Sequence, residues 1–388
     1  MPLALRLNPA RRVFASFAIY AFAMGNIFPR LGDVQRQMGV GEGALGLGLI
    51  GAPVGTLFAL TFAAPLLERL GHRRVLIWGI PLLAFLYAVA VQAPSPVWLF
   101  AMLLPVGLTI GCVEIIVNLE ADRVEHQMGY RIMNRAHAFW SIGFFSAGLF
   151  GAAMAGLGLS PQVHLGLVLP LAGLGVWLLL GEFQPAAPRP TTSVEGPAPR
   201  FAAPTAAIML LVAVTVSAML MEGASMDWSA IYMRDVFGAG PFIAGVAVAA
   251  FAFSQALMRF YADGVVERFS PAHVARVLLA IMLAGCFVVT LSPLPWLSLI
   301  GFAMMGLGTS AIFPLAMSAA AQRQDRPAAL NIAALAQISF MVFLLAPPLL
   351  GFVAEHYGIR TAFGIGLPLI LLSLLTAGSL GRRTTAFA

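Results

Sequence analysis

Polar and apolar positions divide this chain into long apolar runs separated by short charged loops. A helix crosses a bilayer in about 20 residues, and twelve runs approach or exceed that length: roughly 13–29, 44–66, 75–93, 97–119, 133–157, 163–181, 205–231, 241–262, 273–291, 296–320, 329–353 and 360–379. The expected architecture is therefore an all-α integral membrane protein with twelve transmembrane helices. Within the runs a few ionisable residues stand out, notably Glu114 in TIGCVEIIVN (109–118) and Glu222 near the centre of the seventh run. An ionised group in hydrocarbon is costly, so such residues face a protein interior or a wet cavity.

Composition agrees. Sixty per cent of residues are hydrophobic and ten per cent charged, with a mean hydropathy of +0.91, which excludes a soluble domain of this size. The first run ends in FPRLGD without a small-residue cleavage site, so it reads as a retained helix rather than a signal peptide. All 22 basic residues other than histidine are arginines. With an even number of spans, Arg30, Arg36, Arg234 and Arg360 fall on one side and the other 18 on the opposite side. The positive-inside rule then predicts that both termini are cytoplasmic. The net charge of +6 follows from this bias and indicates no nucleic-acid partner. Cys112 and Cys286 sit in different runs with no metal-ligand spacing, so no metal, cofactor or disulfide framework is expected.

The sequence EFQPAAPRPTTSVEGPAPRFAAP (182–204) reads as a flexible cytoplasmic linker between two six-helix bundles, residues 1–181 and 205–388. The halves also match each other. APLLERLG (64–71) aligns with DGVVERFS (263–270), and at the same offset GLTIGCVE (107–114) aligns with GLGTSAIF (306–313). GLFGAAMAGLG (148–158) meets PPLLGFVAEHYG (347–358) at a slightly shifted offset. Matches in the same order point to duplication, and a six-plus-six plan places a solute site between the bundles near the midplane.

The loop ERLGHRR (68–74) resembles the signature of the major facilitator superfamily, Gly-x-x-x-Asp-Arg-x-Gly-x-Arg-Arg, with Glu68 for the aspartate and Ala64 for the first glycine. PRLGDVQRQMGVGEGALGLGL, EIIVN, RAHAFWSIG and EGASMDWSAIYMRDVFG resemble the branch containing fucose permease relatives and the rhizopine-transport, MosC-like proteins. The resemblance implies the major facilitator fold, a bacterial inner membrane location, and a charged cytoplasmic gate. That gate would comprise Glu68, Arg69, Arg73 and Arg74, with Arg259 and Asp263 from the second half.

Gly107, Gly111, Glu114 and Asn118 share one helical stripe, the glycines admitting a neighbour and the polar pair looking inward. The E-x-x-x-N spacing resembles the fourth helix of fucose permease, which implies a sugar and proton role for Glu114. His137 lies at similar depth with Trp140 and Phe144 on its face; histidine exchanges protons near neutral pH, yet RAHAFW reads equally as a helix end at the cytoplasmic surface. Thr215, Glu222, Ser225 and Ser229 form a second stripe, giving Glu114, Glu222 and His137 as proton-coupling candidates. Asp227 is a candidate partner of Arg30 in an outer gate, or a solvated rim acid, and Trp228 reads as an interfacial aromatic or a cavity wall. Asn26 stands where the fucose permease carries an acid, while Tyr20 reads as facing elsewhere. Gln255, Phe313, Asn331 and Gln337 complete the solute-binding candidates, alongside Asn26, Glu114, Asn118, His137, Trp140, Glu222 and Trp228.

The expected activity is secondary active transport by alternating access: proton symport importing a small polyhydroxylated, sugar- or cyclitol-like solute. The alternatives are a proton antiporter exporting drugs or metabolites, and a membrane sensor. The absence of HExxH, GxSxG and Cys/His clusters argues against an enzyme. The expected partners are a small-molecule solute, protons and the lipid bilayer, with the protein a monomer.

Overall fold

The computed structural model describes residues 7–130, 132–187, 202–323 and 325–381, without the side chains of Asp263, Ala328 and Ala329. The central part of the expected linker and the extreme C-terminus lie outside the described residues. The main helices are α1 (Pro9–Gly25), α2 (Glu42–Phe62), α3 (His72–Ala90), α4 (Pro96–Met128), α5 (Met133–Gly156) and α6 (Pro161–Leu180) in the first half. The second half holds α7 (Ala206–Phe237), α8 (Pro241–Arg268), α9 (Pro271–Leu291), α10 (Pro295–Ala321), α11 (Ala328–Tyr357) and α12 (Ile359–Leu380). Among the described residues, eleven helices are long and apolar enough to cross a membrane. The remaining helix, α1, is 17 residues long and runs on through a 3₁₀ turn, Phe28–Arg30, into the short helix Leu31–Met38.

Helix starts follow local chemistry. Asn8, Ser95, Ser160, Thr205 and Ser270 each accept a hydrogen bond from a backbone N–H of the first turn they precede. Four of these helices, α1, α4, α6 and α9, also carry proline at the first position, where its missing N–H costs nothing. At about 1.5 Å per residue, α4 spans about 50 Å, longer than a hydrocarbon core of about 30 Å. Its last turns therefore project beyond the apolar zone on the side of the termini and linker, hereafter the linker side.

On the opposite, far side the two halves come into close backbone contact. A Cβ on Gly46 of α2 would lie 2.5 Å from the Pro347 carbonyl oxygen of α11, and one on Gly351 of α11 would lie 2.5 Å from the Glu42 carbonyl oxygen. The absence of side chains lets these backbones touch. α5 and α8 approach similarly, Gly245 facing Ala152 and Gly148 facing Ala249. The molecule is thus sealed on the far side.

Candidate functional site

The centre of the molecule gathers polar groups from both halves. On α4, the Asn118 side-chain amide donates to the Glu114 carboxylate at 3.0 Å, and its oxygen lies 3.2 Å from His137 Nε2 on α5. Tyr20 of α1 completes the cluster by hydrogen bonding to Glu114. The stripe expected on α4 is therefore present: Gly107 and Gly111 seat the helix against Ala52, Thr56 and Ala59 of α2, and the polar pair meets α1 and α5.

In the second half, Gln255 of α8 donates to Glu222 of α7 at 2.9 Å and approaches the Thr309 hydroxyl of α10 at 3.4 Å. Arg259, one helical turn beyond Gln255, lies 3.6 Å from Glu222. Its guanidinium donates to Ser141 Oγ on α5 at 2.8 Å and to the Ser310 carbonyl oxygen at 3.3 Å, and it stands over the Trp140 ring at 5.9 Å. Trp140 stacks on Phe144. The Arg259 charge is also within electrostatic reach of Glu114 and His137. One guanidinium therefore stands between two carboxylates from opposite halves. The carbonyl it meets is freed by a break in α10, whose helical runs stop at Thr309 and resume at Ile312.

Several expectations need correction. Arg259, assigned to the cytoplasmic gate, is in the centre, because α8 continues helically to Arg268 and leaves Arg259 nine residues short of its end. Tyr20 does not face elsewhere but touches Glu114. Asn26 is fully buried and bonded to His164 of α6 at 2.9 Å and to the Phe22 carbonyl at 2.7 Å, so its polar atoms are spent within the first half. Asn331 donates to Asp325 at 2.9 Å and accepts from Arg326 at 2.6 Å, a knot at the start of α11 rather than a wall of the site. Gln337 accepts from the Ala202 N–H at 3.3 Å, which binds it to the linker's end.

On the far side, Arg30 pairs with Asp33 at 2.7 Å, one helical turn away, and not with Asp227. Asp227 instead lies within electrostatic reach of Tyr87 on α3. Trp228 is buried against Gly351 of α11, a packing aromatic at the far-side seal. Phe313 is half-buried on α10. Thr215 meets Ser339 at 3.1 Å, which ties α7 to α11 below Glu222.

On the linker side, Glu68, Arg69 and Arg74 are exposed and form no ion pair with a described residue. Arg73 donates to the Gly181 and Phe183 carbonyls of its own half at 2.9 and 3.0 Å. The Asp263 side chain lies outside the described residues. Nearby, Glu120 is buried against His72 and accepts from the Ala186 N–H at 3.1 Å. Sequence reading misses Arg259 as a central charge, together with Ser141, Ser310 and His164. The only signal for Arg259 is an arginine just inside the apolar run 241–262.

A family model described as Major Facilitator Superfamily matches residues 210–386. The uncharacterized transporter y4wD of Sinorhizobium fredii is 30% identical over 374 residues, covering 95% of this chain and 97% of the relative. Membrane protein MosC of Rhizobium meliloti is 22% identical over 367 residues, covering 92% and 87%. The crystal structure of a point mutant of the nucleoside transporter NupG superposes with a TM-score of 0.74 at 12% identity, covering 97% of this chain and all of that one. Two six-helix halves around a polar centre, and a relative aligned almost end to end, make this chain a membrane transporter belonging to the major facilitator superfamily.

Proposed function

We propose that the protein is a proton-coupled importer of a small polyhydroxylated solute, residing in a bacterial inner membrane with its linker side in the cytoplasm. The observation that carries this reading is the position of Arg259 between Glu222 of its own half and Ser141 of the other. When Glu222 is ionised it holds the guanidinium; when it takes a proton, the attraction is lost and Arg259 is left to its contacts across the halves. A proton on a carboxylate thus changes how the two halves are bridged, which is the requirement for coupling protons to alternating access.

The surroundings suit a hydroxylated ring. Asn118, His137, Ser141, Gln255 and Tyr20 offer directional donors and acceptors, and the stacked pair Trp140–Phe144 offers a flat apolar face. A nucleoside, the solute named for the structural neighbour NupG, combines hydroxyls with a flat ring in the same way. The arginine bias supports the cytoplasmic assignment of the linker side, with Arg30, Arg36, Arg234 and Arg360 on the far side.

The test is uptake in proteoliposomes. Purified protein is screened by thermal shift against sugars, cyclitols, nucleosides and amphipathic drugs, since bound solute raises the melting temperature. The stabilising solute is then offered with and without an imposed pH gradient. Accumulation driven by an inward proton gradient is expected; efflux stimulated by that gradient would mark an exporter, and exchange indifferent to it would remove proton coupling.

A further inference from the structure

Among the described residues, the far-side seal has two charged contacts between the halves, and both charged side chains come from the second half. Glu355, near the end of α11, accepts a hydrogen bond from the Gly43 N–H at 2.8 Å. That amide belongs to the first turn of α2, whose preceding residue, Gly41, supplies no side-chain cap. Five other helices carry their own Asn, Ser or Thr cap. The first amides of a helix are orphan donors at the positive end of its dipole. In α2 the missing cap is provided by a carboxylate from the opposite half.

The second contact is independent. Arg234, in the last turn of α7, donates to the Gly32 carbonyl at 2.8 Å and to Gln35 Oε1 at 2.7 Å, both on the short helix Leu31–Met38. It also pairs with its neighbour Asp235, which moves with it. Around these contacts the glycines of the first half are fitted to their partners. A Cβ on Gly43 would collide with a Glu355 carboxylate oxygen, and one on Gly32 would fall 2.9 Å from Arg234 Nη1.

We propose that Glu355 and Arg234 form the outer latch of the transporter, holding it closed on the far side until the halves rock apart. The latch rests on the alternating-access reading above but names the residues that set its resting equilibrium. Both charges have somewhere to go on opening: Asp235 keeps Arg234 paired, and Glu355, which is already exposed, passes to water. A latch of this kind is reversible. Its acceptor and donor on the first half are largely backbone, so the contact depends on helix placement and on glycine at 43 rather than on a matching charge.

The experiment measures far-side opening directly, without reference to any solute. A single reporter cysteine, Ser229→Cys, is placed on α7 behind the latch, where the serine is buried and its hydroxyl has no hydrogen-bond partner. Cys112 and Cys286 are replaced by serine, and intact cells are treated with a membrane-impermeant maleimide. Glu355→Ala is expected to raise the labelling rate several-fold, with Glu355→Gln intermediate because its amide oxygen still accepts. Gly43→Ala attacks the latch from the other half without altering charge and is expected to raise labelling similarly. Combining it with Glu355→Ala should add little, because both remove one contact. Labelling unchanged by either substitution, or fully additive effects, would overturn the latch. A solute-free or proton-independent carrier would defeat the functional reading while leaving these labelling results intact, so the two can fail separately.

Discussion

Arg259 on α8 and Ser141 on α5 share a hydrogen bond of 2.8 Å that joins the two halves at the centre of the molecule. The same guanidinium faces Glu222 at 3.6 Å and lies over Trp140. Arginine can serve these partners together because its planar fork presents five N–H groups, whereas lysine offers a single point of charge. Arg259→Lys is therefore expected to lower gradient-driven uptake by roughly tenfold or more, even though charge is kept. Ser141→Ala removes one hydrogen bond to a charged group, about 1.5–3 kcal/mol, and should shift the balance between conformations without abolishing solute exchange. Uptake by Arg259→Lys equal to wild type would show that only the charge matters.

The carboxylates separate by role. Glu114→Gln keeps shape and much of the hydrogen bonding with Asn118 but removes titration. Exchange without a gradient should survive, and accumulation driven by a proton gradient should be lost. In Glu222→Gln the amide can still meet Gln255, but Arg259 loses its only carboxylate partner within 4 Å among the described residues. Removing one member of a buried pair costs about 3–5 kcal/mol, so this variant should also lose thermal stability. Accumulation by Glu222→Gln at the wild-type level would remove the proton-coupling claim.

Legibility in the sequence depends on whether the signal is local. Apolar run length marks the helices, and a cap such as Ser95 followed by Pro96 marks a start within three residues. Glu114 and Asn118 stand out because an acid and an amide four apart share one face of an apolar helix, and hydrocarbon leaves such a face nowhere to turn but inward. Arg259 escapes notice because an arginine near the end of a run looks like an anchor, and only the length of α8 shows that it is interior. Asn26, Asn331 and Gln337 meet protein partners for which the sequence carries no local sign. An amide in a helix looks the same in sequence whether its partner is a solute, the His164 ring, a loop carboxylate or the linker backbone. Those partners lie many residues away or on the other side of a turn, and no periodicity announces them.

The reassignment of Asn26 is itself testable. Its oxygen lies 2.9 Å from His164 Nε2, and both side chains are fully buried between α1 and α6. Leaving a buried polar group unpaired costs about 1–3 kcal/mol. Asn26→Ala and His164→Ala should each lower the melting temperature, and the double variant should lose less than the sum. Solute affinity measured by thermal shift should stay within about twofold of wild type in the protein that remains folded. A loss of affinity tenfold or greater in Asn26→Ala, with stability unchanged, would return this residue to the binding site.

The charged loop on the linker side makes a different prediction from a simple bundle-to-bundle gate. Arg73 holds the Gly181 and Phe183 carbonyls, Arg12 the Glu182 carbonyl at 2.7 Å, and Glu120 the Ala186 N–H at 3.1 Å. Three helices of the first half thereby strap the beginning of the linker to their own ends. Glu120 is buried and also meets His72 and Arg123, so its carboxylate cannot be removed without freeing all three partners. Glu120→Ala should release the strap: the Ala186 amide would exchange with deuterium at least tenfold faster, a loss of protection of about 1.4 kcal/mol. Arg73→Ala should accelerate exchange around residues 181–183 less strongly, since each carbonyl it serves can turn to water at this exposed end. If Glu120→Ala left exchange at Ala186 unchanged, the linker would be held by its backbone path alone, and the charge of Arg73 would have to act between the bundles in another conformation instead.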